Sequence, residues 1–317
     1  MSILKKVTFS LAVICALSAC QSLARDPLFR LTLRVVDDAS TPVVGAQVRI
    51  GAERRSKEGE SEGKGIFAEG VTDDKGLFTG EVEAWDATRA GYSAEKAGYY
   101  PVRQRSYSAK ASVRGRWQPW NPTIEVVLKR IRNPVPMYAK RVERGLPALG
   151  ETVSYDLESG DWLPPHGKGK IADMAFLGTL KKLDQDNGDY EVTVSFSNPG
   201  DGIQRFTPDR DTPSFRSPYE APDSGYRTEW KLKQIRRRGL PDVTDFDSKG
   251  AYFFRVRTVL GKDGKVVKAL YGKIYGDFFE MVYYLNPDGT RNVEYDTKRN
   301  LLKPVGNKDR RYYEVGP

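Results

Sequence analysis

Cysteine and histidine are nearly missing from this chain. Its 317 residues include two Cys, Cys15 and Cys20, both close to the start, and one His, His166. A zinc site normally draws on several His or Cys ligands, so metal centres of that kind are excluded. A disulfide framework is excluded by the same count. The single histidine lies in the Pro/Gly loop "WLPPHGKGK", and no nucleophile-elbow sequence accompanies it, so a Ser–His–Asp triad has little to rest on and a solvated or packing role fits His166 better. Helical periodicity is almost absent, and no second long apolar run follows the N-terminal one. No nucleic-acid motif is present.

What the N-terminus does have is a charged start, Lys5 and Lys6, followed by the apolar run "VTFSLAVICALSA". That run is too short for a permanent membrane span and has the form of an export signal. It ends in Leu17-Ser18-Ala19-Cys20, which resembles the lipobox of bacterial lipoproteins. The resemblance implies cleavage before Cys20, a diacylglycerol thioether on its sulfur and acylation of the new amino terminus. Each buried methylene contributes about 0.8 kcal/mol, so two or more chains hold a protein to a bilayer. Cys15 would leave with residues 1–19, and a lone Cys20 in an exported chain is accounted for by the lipid. The next residue is Gln21 rather than Asp, which by the same resemblance points to the outer membrane of a two-membrane host.

The formal charge of +9 falls to +7 once Lys5 and Lys6 are removed. The excess is spread over small clusters at Lys129–Arg132, Lys140-Arg141, Arg236–Arg238 and Lys308–Arg311. Such clusters read as a solvated surface, with anionic lipid heads or acidic glycans as the alternative contact. About 300 mature residues suffice for two domains, and a composition rich in Tyr, Phe, Val and Gly leans toward sheet.

From Leu28 the pattern is one of strands. Leu31, Leu33 and Val35 alternate with Thr32 and Arg34, then Ala46, Val48 and Ile50 repeat the pattern, and Ile124, Val126 and Leu128 close the segment. Three short motifs occur in order: Pro42-Val43-Val44-Gly45-Ala46-Gln47-Val48, Thr72-Asp73-Asp74-Lys75-Gly76-Leu77-Phe78, and Lys96-Ala97-Gly98-Tyr99. Over 29–131 the chain resembles the carboxypeptidase regulatory-like family, a small β-sandwich related in shape to transthyretin. The resemblance implies an accessory, spacer or binding module with no catalytic residues to transfer. Its glycines and aromatics read as turn and core framework. An insert, "SVRGRWQPWNP", carries Arg116, Trp117 and Trp120, which either stack on a sugar ring or partner or cap the end of the sandwich; the second fits better.

Residues 132–151, with three prolines, read as an extended connector between residues 29–131 and a second β domain at 152–317. There Tyr190, Val192, Val194 and Phe196 share a face, Asn187-Gly188 reads as a two-residue hairpin turn, and Ile171 reads as apolar strand. Tyr226, Thr228, Trp230 and Leu232 form another face, and 251–289 reads as a three-strand meander with turns at Lys262-Asp263-Gly264 and Gly276-Asp277. The expected fold class is all-β, two antiparallel β-sandwich domains, the second jelly-roll-like or a plain sandwich. "DQDNGD" at Asp184–Asp189 departs from a calcium loop at its glycine, and "NPGDGIQRF" lacks phosphate-loop spacing.

Two carboxylates for glycoside hydrolysis would have to come from Asp173, Glu229 or Asp277, and no spacing singles them out. The expectation is a lipid-anchored, noncatalytic envelope protein without cofactor, metal or nucleic acid, whose partner is an envelope glycan or another envelope protein. An envelope carbohydrate hydrolase and a structural subunit of an envelope assembly are the alternatives.

Overall fold

The structure, a computed structural model, describes residues 26–53, 65–84, 90–143, 145–182, 184, 187–208 and 214–317. The lipobox and Cys20 lie outside them. Among the described residues the regular secondary structure is almost wholly strand, arranged as two stacked-sheet units with separate apolar cores.

The first unit contains β1 (Leu28–Asp37), β2 (Gln47–Glu53), β3 (Gly65–Val71), β4 (Leu77–Glu83), β5 (Ala90–Glu95), β6 (Tyr99–Tyr100), β7 (Val102–Tyr107), β8 (Ala111–Val113), β9 (Arg116–Gln118) and β10 (Thr123–Arg130). One sheet runs β6-β10-β1-β9-β8 with β4 also on β1; the other runs β3-β2-β5-β7. Leu31, Leu33, Val35, Ile50 and Leu128 are completely buried between them, so the period-two pattern does place one face of each strand inward. The turn motifs act through local bonds. Asp73 Oδ1 accepts the amides of Lys75 and Leu77, while Gly76 sits at φ +73° where an added Cβ would strike the Val35 carbonyl.

The second unit contains β11 (Val135–Val142), β12 (Thr152–Asp156), β13 (Asp161–Trp162), β14 (Met174–Lys182), β15 (Gly188–Ser195), β16 (Gly202–Arg205), β17 (Glu229–Arg236), β18 (Val243–Thr244), β19 (Ala251–Leu260), β20 (Val266–Gly276), β21 (Met281–Asn286) and β22 (Tyr295–Asn300), then a 3-10 turn and α1 (Arg310–Tyr313). Its inner sheet, β16-β19-β20-β21-β11-β22, packs on an outer sheet, β13-β12-β14-β15-β17-β18. The inner sheet is covered on both faces. Leu270 and Ile274 of β20 point to the outer sheet, whereas Tyr271 and Tyr275 pack with loop and C-terminal residues on the far side.

Several expectations need correction. The supposed connector contains β11, which lies between β21 and β22 inside the inner sheet. Its Pro136 is tolerated because the pairing with β22 shifts register between Val135 and Met137, where the missing amide breaks no regular ladder. Pairing is not purely antiparallel: β1 with β10, and β11 with β22, run parallel, so the first and last strands of each unit lie side by side. Asn187-Gly188 is no two-residue turn. Gly188 already pairs with Lys182, and Asp184 Oδ1 accepts the Asn187 amide within a longer loop. Ile171 is exposed, and Tyr226 packs in a different cluster from Leu232, because β17 begins only at Glu229.

Two basic clusters are also less solvated than their sequence implies. Lys129 is 7 % exposed and donates to the Ser217 carbonyl at 3.0 Å. Lys140 is half-buried and donates to the Gly160 carbonyl.

Candidate functional site

The aromatic insert of the first unit is tied into the framework. Trp117 Nε1 donates to the Ala84 carbonyl at 2.9 Å, and its ring packs on the core. The Arg116 guanidinium lies 4.9 Å from the Trp120 ring centroid, on one face of that ring. Trp117 is thus held in the sandwich end, while Arg116 is exposed and Trp120 half-buried beside it.

The other sequence candidates are dispersed. His166 Nε2 is 3.3 Å from Glu151 Oε1. Asp173 forms a two-point pair with Arg257, 2.8 Å from Nε to Oδ1 and 2.9 Å from Nη2 to Oδ2. Burial raises the Asp173 carboxyl and the Arg257 hydrogen bonds pull it down, while the same pairing raises Arg257, which stays a cation. Asp173 is thus part of a structural network that also holds Glu158 and Asp156 on Arg257. Glu229 is exposed at the start of β17, and Asp277 accepts the amides of Phe279 and Glu280 in the β20–β21 turn. These three carboxylates sit on separate elements with separate partners. Among the described residues no cluster of metal-ligating side chains occurs, and no helix is long and apolar enough to cross a membrane.

A concave site does form in the second unit, at residues of which the sequence reading marked only Lys140, Arg141 and Asp309, and those as parts of basic surface clusters. A cleft of about 330 Å³ lies between β11, the β12–β13 hairpin and α1. The half-buried rings of Trp162, Tyr312 and Tyr313 line it above Tyr155. Trp162 is fixed by edge contacts with Tyr155 at 4.9 Å and Phe176 at 5.7 Å. The tyrosines arrive from the C-terminal turn, which Asn300 secures by donating to the Tyr313 carbonyl at 2.9 Å and Tyr284 by donating to the Gly316 carbonyl at 2.7 Å. Arg311 donates to the Tyr312 hydroxyl at 2.5 Å.

Polar groups stand among these rings. Lys140 Nζ lies 5.4 Å from the Tyr313 ring centroid. Burial lowers its ammonium below the ordinary lysine range, with Asp161 and Asp309 opposing that shift. The Asp161 carboxylate is aimed by the amides of Trp162 at 2.9 Å and Lys168 at 2.8 Å. Rings and charged side chains, Lys140, Arg141, Glu143, Asp161 and Asp309, share the lining, and convergent polar groups of this kind are what orient a ligand in a concave site. Its components come from chain positions near 140, 162 and 312, brought together by the β11 placement, which explains why no local motif announced it.

This is an all-β protein built of two sheet-stacked units, with an aromatic, charge-bearing cleft on the second. No family profile matches the chain, and no curated protein does. Among solved structures, 3-chlorocatechol 1,2-dioxygenase from Rhodococcus opacus 1CP is similar at 11 % identity over 33 % of this chain, with a TM-score of 0.25; the match spans 61 % of the dioxygenase chain. The shaft pilin SpaA from Lactobacillus rhamnosus GG is similar at 14 % identity over 78 % of this chain and 93 % of its own, TM-score 0.21. A protein from Bacteroides uniformis ATCC 8492 described as carbohydrate-binding is similar at 8 % identity over 84 % of this chain and 93 % of its own, TM-score 0.19. Scores of this size carry no argument about function.

Proposed function

We propose that this chain is a lipid-anchored, noncatalytic protein of a bacterial cell envelope that binds saccharide in the cleft beside Trp162, Tyr312 and Tyr313. The observation that carries the reading is that cleft: three rings and the charged groups of Lys140 and Asp161 around one cavity. Aromatic faces are electron-rich and attract the C–H edges of a sugar ring, while a half-buried ammonium and an oriented carboxylate select among hydroxyls. The anchor rests on the Leu17-Ser18-Ala19-Cys20 motif, and Gln21 favours the outer membrane as its site.

A glycan array probed with the chain, followed by calorimetry on any hit, tests the binding. Tyr312→Ala and Trp162→Ala are expected to weaken a hit at least tenfold, with Trp120→Ala as a neutral control. Absence of any envelope glycan hit, or equal loss in the control, defeats the saccharide reading. The anchor is tested separately: Cys20→Ser is expected to shift the protein from the membrane fraction to the soluble one, and unchanged sedimentation rules the lipid out.

A further inference from the structure

The hairpin of β19 and β20 runs past the sheet that contains it. β16 pairs with β19 only over Tyr252–Arg255, and β21 pairs with β20 only over Tyr271–Gly276. Beyond Val256 and Leu270 the two strands continue as a ribbon with no further described strand on either edge, and every residue of that ribbon is described. Its base is fixed: Asn198 donates to the Thr258 carbonyl at 3.0 Å, and Asp201 accepts the amides of Arg257 and Thr258. Its turn is fixed as well, the Gly261 amide donating to the Lys265 carbonyl at 2.8 Å and Gly264 closing the loop at φ +75°.

Four aliphatic side chains are exposed on this ribbon: Val259, Leu260, Val266 and Val267, each between 37 and 72 %. Leu260 pairs across the ribbon with Val266, and Val259, next to Leu260, pairs with Lys268. Val267 lies against Gly261, where an added Cβ would come within 3.2 Å of its Cγ2. Hairpin ends that face water ordinarily carry polar residues, so packing within the chain does not account for this apolar tip. Around it stand Lys262, Lys265 and Lys268, all exposed. Lys265 is 3.5 Å from Asp263, the carboxylate of the turn, while Lys262 and Lys268 make no ion pair among the described residues.

We propose that the ribbon tip enters the surface of an anionic membrane, with Leu260, Val266 and Val267 against acyl chains and Lys262 and Lys268 on lipid phosphates. Ammonium groups on long stems beside aliphatic side chains match the two chemistries met in order at such a surface, anionic heads and then hydrocarbon. A protein partner fits less well. A stable protein interface takes about 20–30 residues a side, whereas residues 259–268 offer a narrow tip of ten. A bilayer needs no complementary shape. β20 runs parallel to β11 in the inner sheet, because each is antiparallel to β21, and the chain enters β11 from the junction with the first unit. The tip therefore leaves the sheet at the end where the first unit joins it, and the first unit carries the N-terminus from which a lipid on Cys20 would hang. Tip and lipid together would orient the chain on the bilayer; that orientation, though not the binding itself, rests on the Cys20 reading.

Co-sedimentation with vesicles tests it, using the lipid-free chain from residue 21, which keeps every described residue, and phosphatidylcholine alone or mixed with phosphatidylglycerol. Saturable binding to the mixed vesicles is expected, reduced by salt and much weaker on phosphatidylcholine alone. Each lysine near an anionic surface is worth about fivefold in partition, so Lys262→Gln/Lys268→Gln is expected to weaken binding by about tenfold or more. Leu260→Ser/Val267→Ser should weaken it as much with the charge intact. Val71→Ser and Arg236→Gln, exposed elsewhere, should leave it unchanged. Val267→Trp reports entry by a blue shift of emission that the parent chain lacks and by quenching from brominated acyl chains. Absence of binding to mixed vesicles, full binding by the serine variant, or unshifted emission from Val267→Trp overturns the proposal. The chain tested has no residue 20, so such a failure leaves the lipid and saccharide readings standing.

Discussion

Lys273 stands on β20 among Phe215, Tyr275 and Tyr284, its ammonium 3.2 Å from Ser217 Oγ and 4.4 Å from the Phe215 ring centroid. It is wholly buried, and burial first, then Lys129 and Arg216, lower its pKa well below the lysine range. The unfolded chain keeps the ordinary value, so between the two values the unfolded state binds a proton that the folded state does not. Stability contributed through this group therefore rises with pH across that window, and the penalty is greatest below the folded value. Lys273→Met keeps the length and removes the charge. It is expected to gain about 1–2 kcal/mol near neutral pH, and the gain should shrink toward pH 10, as urea titrations at several pH values would reveal. A second residue-scale device is Asp201, whose two oxygens accept the amides of Arg257 and Thr258 at 2.9 and 2.8 Å where β19 bulges and Arg257 takes φ +54°. Asp201→Ala strands both donors and is expected to cost about 2–4 kcal/mol, read as a lower urea midpoint at unchanged slope.

At the scale of elements, period-two alternation made the strands legible wherever one face is buried, as in Leu31–Val35, Val48–Ile50 and Val192–Val194. It failed where a strand is wrapped on both faces or interrupted by proline. β11 reads as linker because Pro134 and Pro136 and a mixed polar pattern mask it, yet Met137 and Ala139 are completely buried. The cleft was illegible for a related reason: its residues converge only once β11 is placed beside β21, and no single stretch carries the pattern. The Trp117–Trp120 insert drew notice because tryptophan is conspicuous in sequence, whereas the indole hydrogen bond to Ala84 depends on tertiary packing. The placement of β11 gives a direct expectation. A fragment beginning at residue 133 should unfold cooperatively, while one beginning at 152 lacks the strand bridging β21 and β22 and should show no sharp urea transition, its exposed Tyr284 and Leu285 edges binding a hydrophobic dye.

At the scale of the whole molecule, the question is what makes two sheet-stacked units behave as one. The junction is polar and buried. Glu294 is 1 % exposed and accepts the Tyr100 hydroxyl at 3.0 Å and the amides of Arg132 and Asn133 at 2.9 and 2.7 Å. The loop through Phe215 completes the clasp: Phe215 stacks on Tyr100 at 5.1 Å, the Ser214 amide donates to the Pro101 carbonyl at 3.0 Å, and Tyr219 donates to the Arg130 carbonyl at 2.7 Å. Glu294 bridges β6, the β10–β11 link and the start of β22, so its loss takes the acceptor from three donors. Each unsatisfied group costs about 1–3 kcal/mol, enough to exceed the coupling between two units that each have their own core. The wild-type chain is expected to unfold in a single calorimetric transition, and Glu294→Ala in two, the lower one accompanied by new protease cleavage between Arg130 and Val135. A single transition with an unchanged cleavage pattern in the variant would mean that apolar contact at Phe215, rather than the Glu294 carboxylate, couples the units.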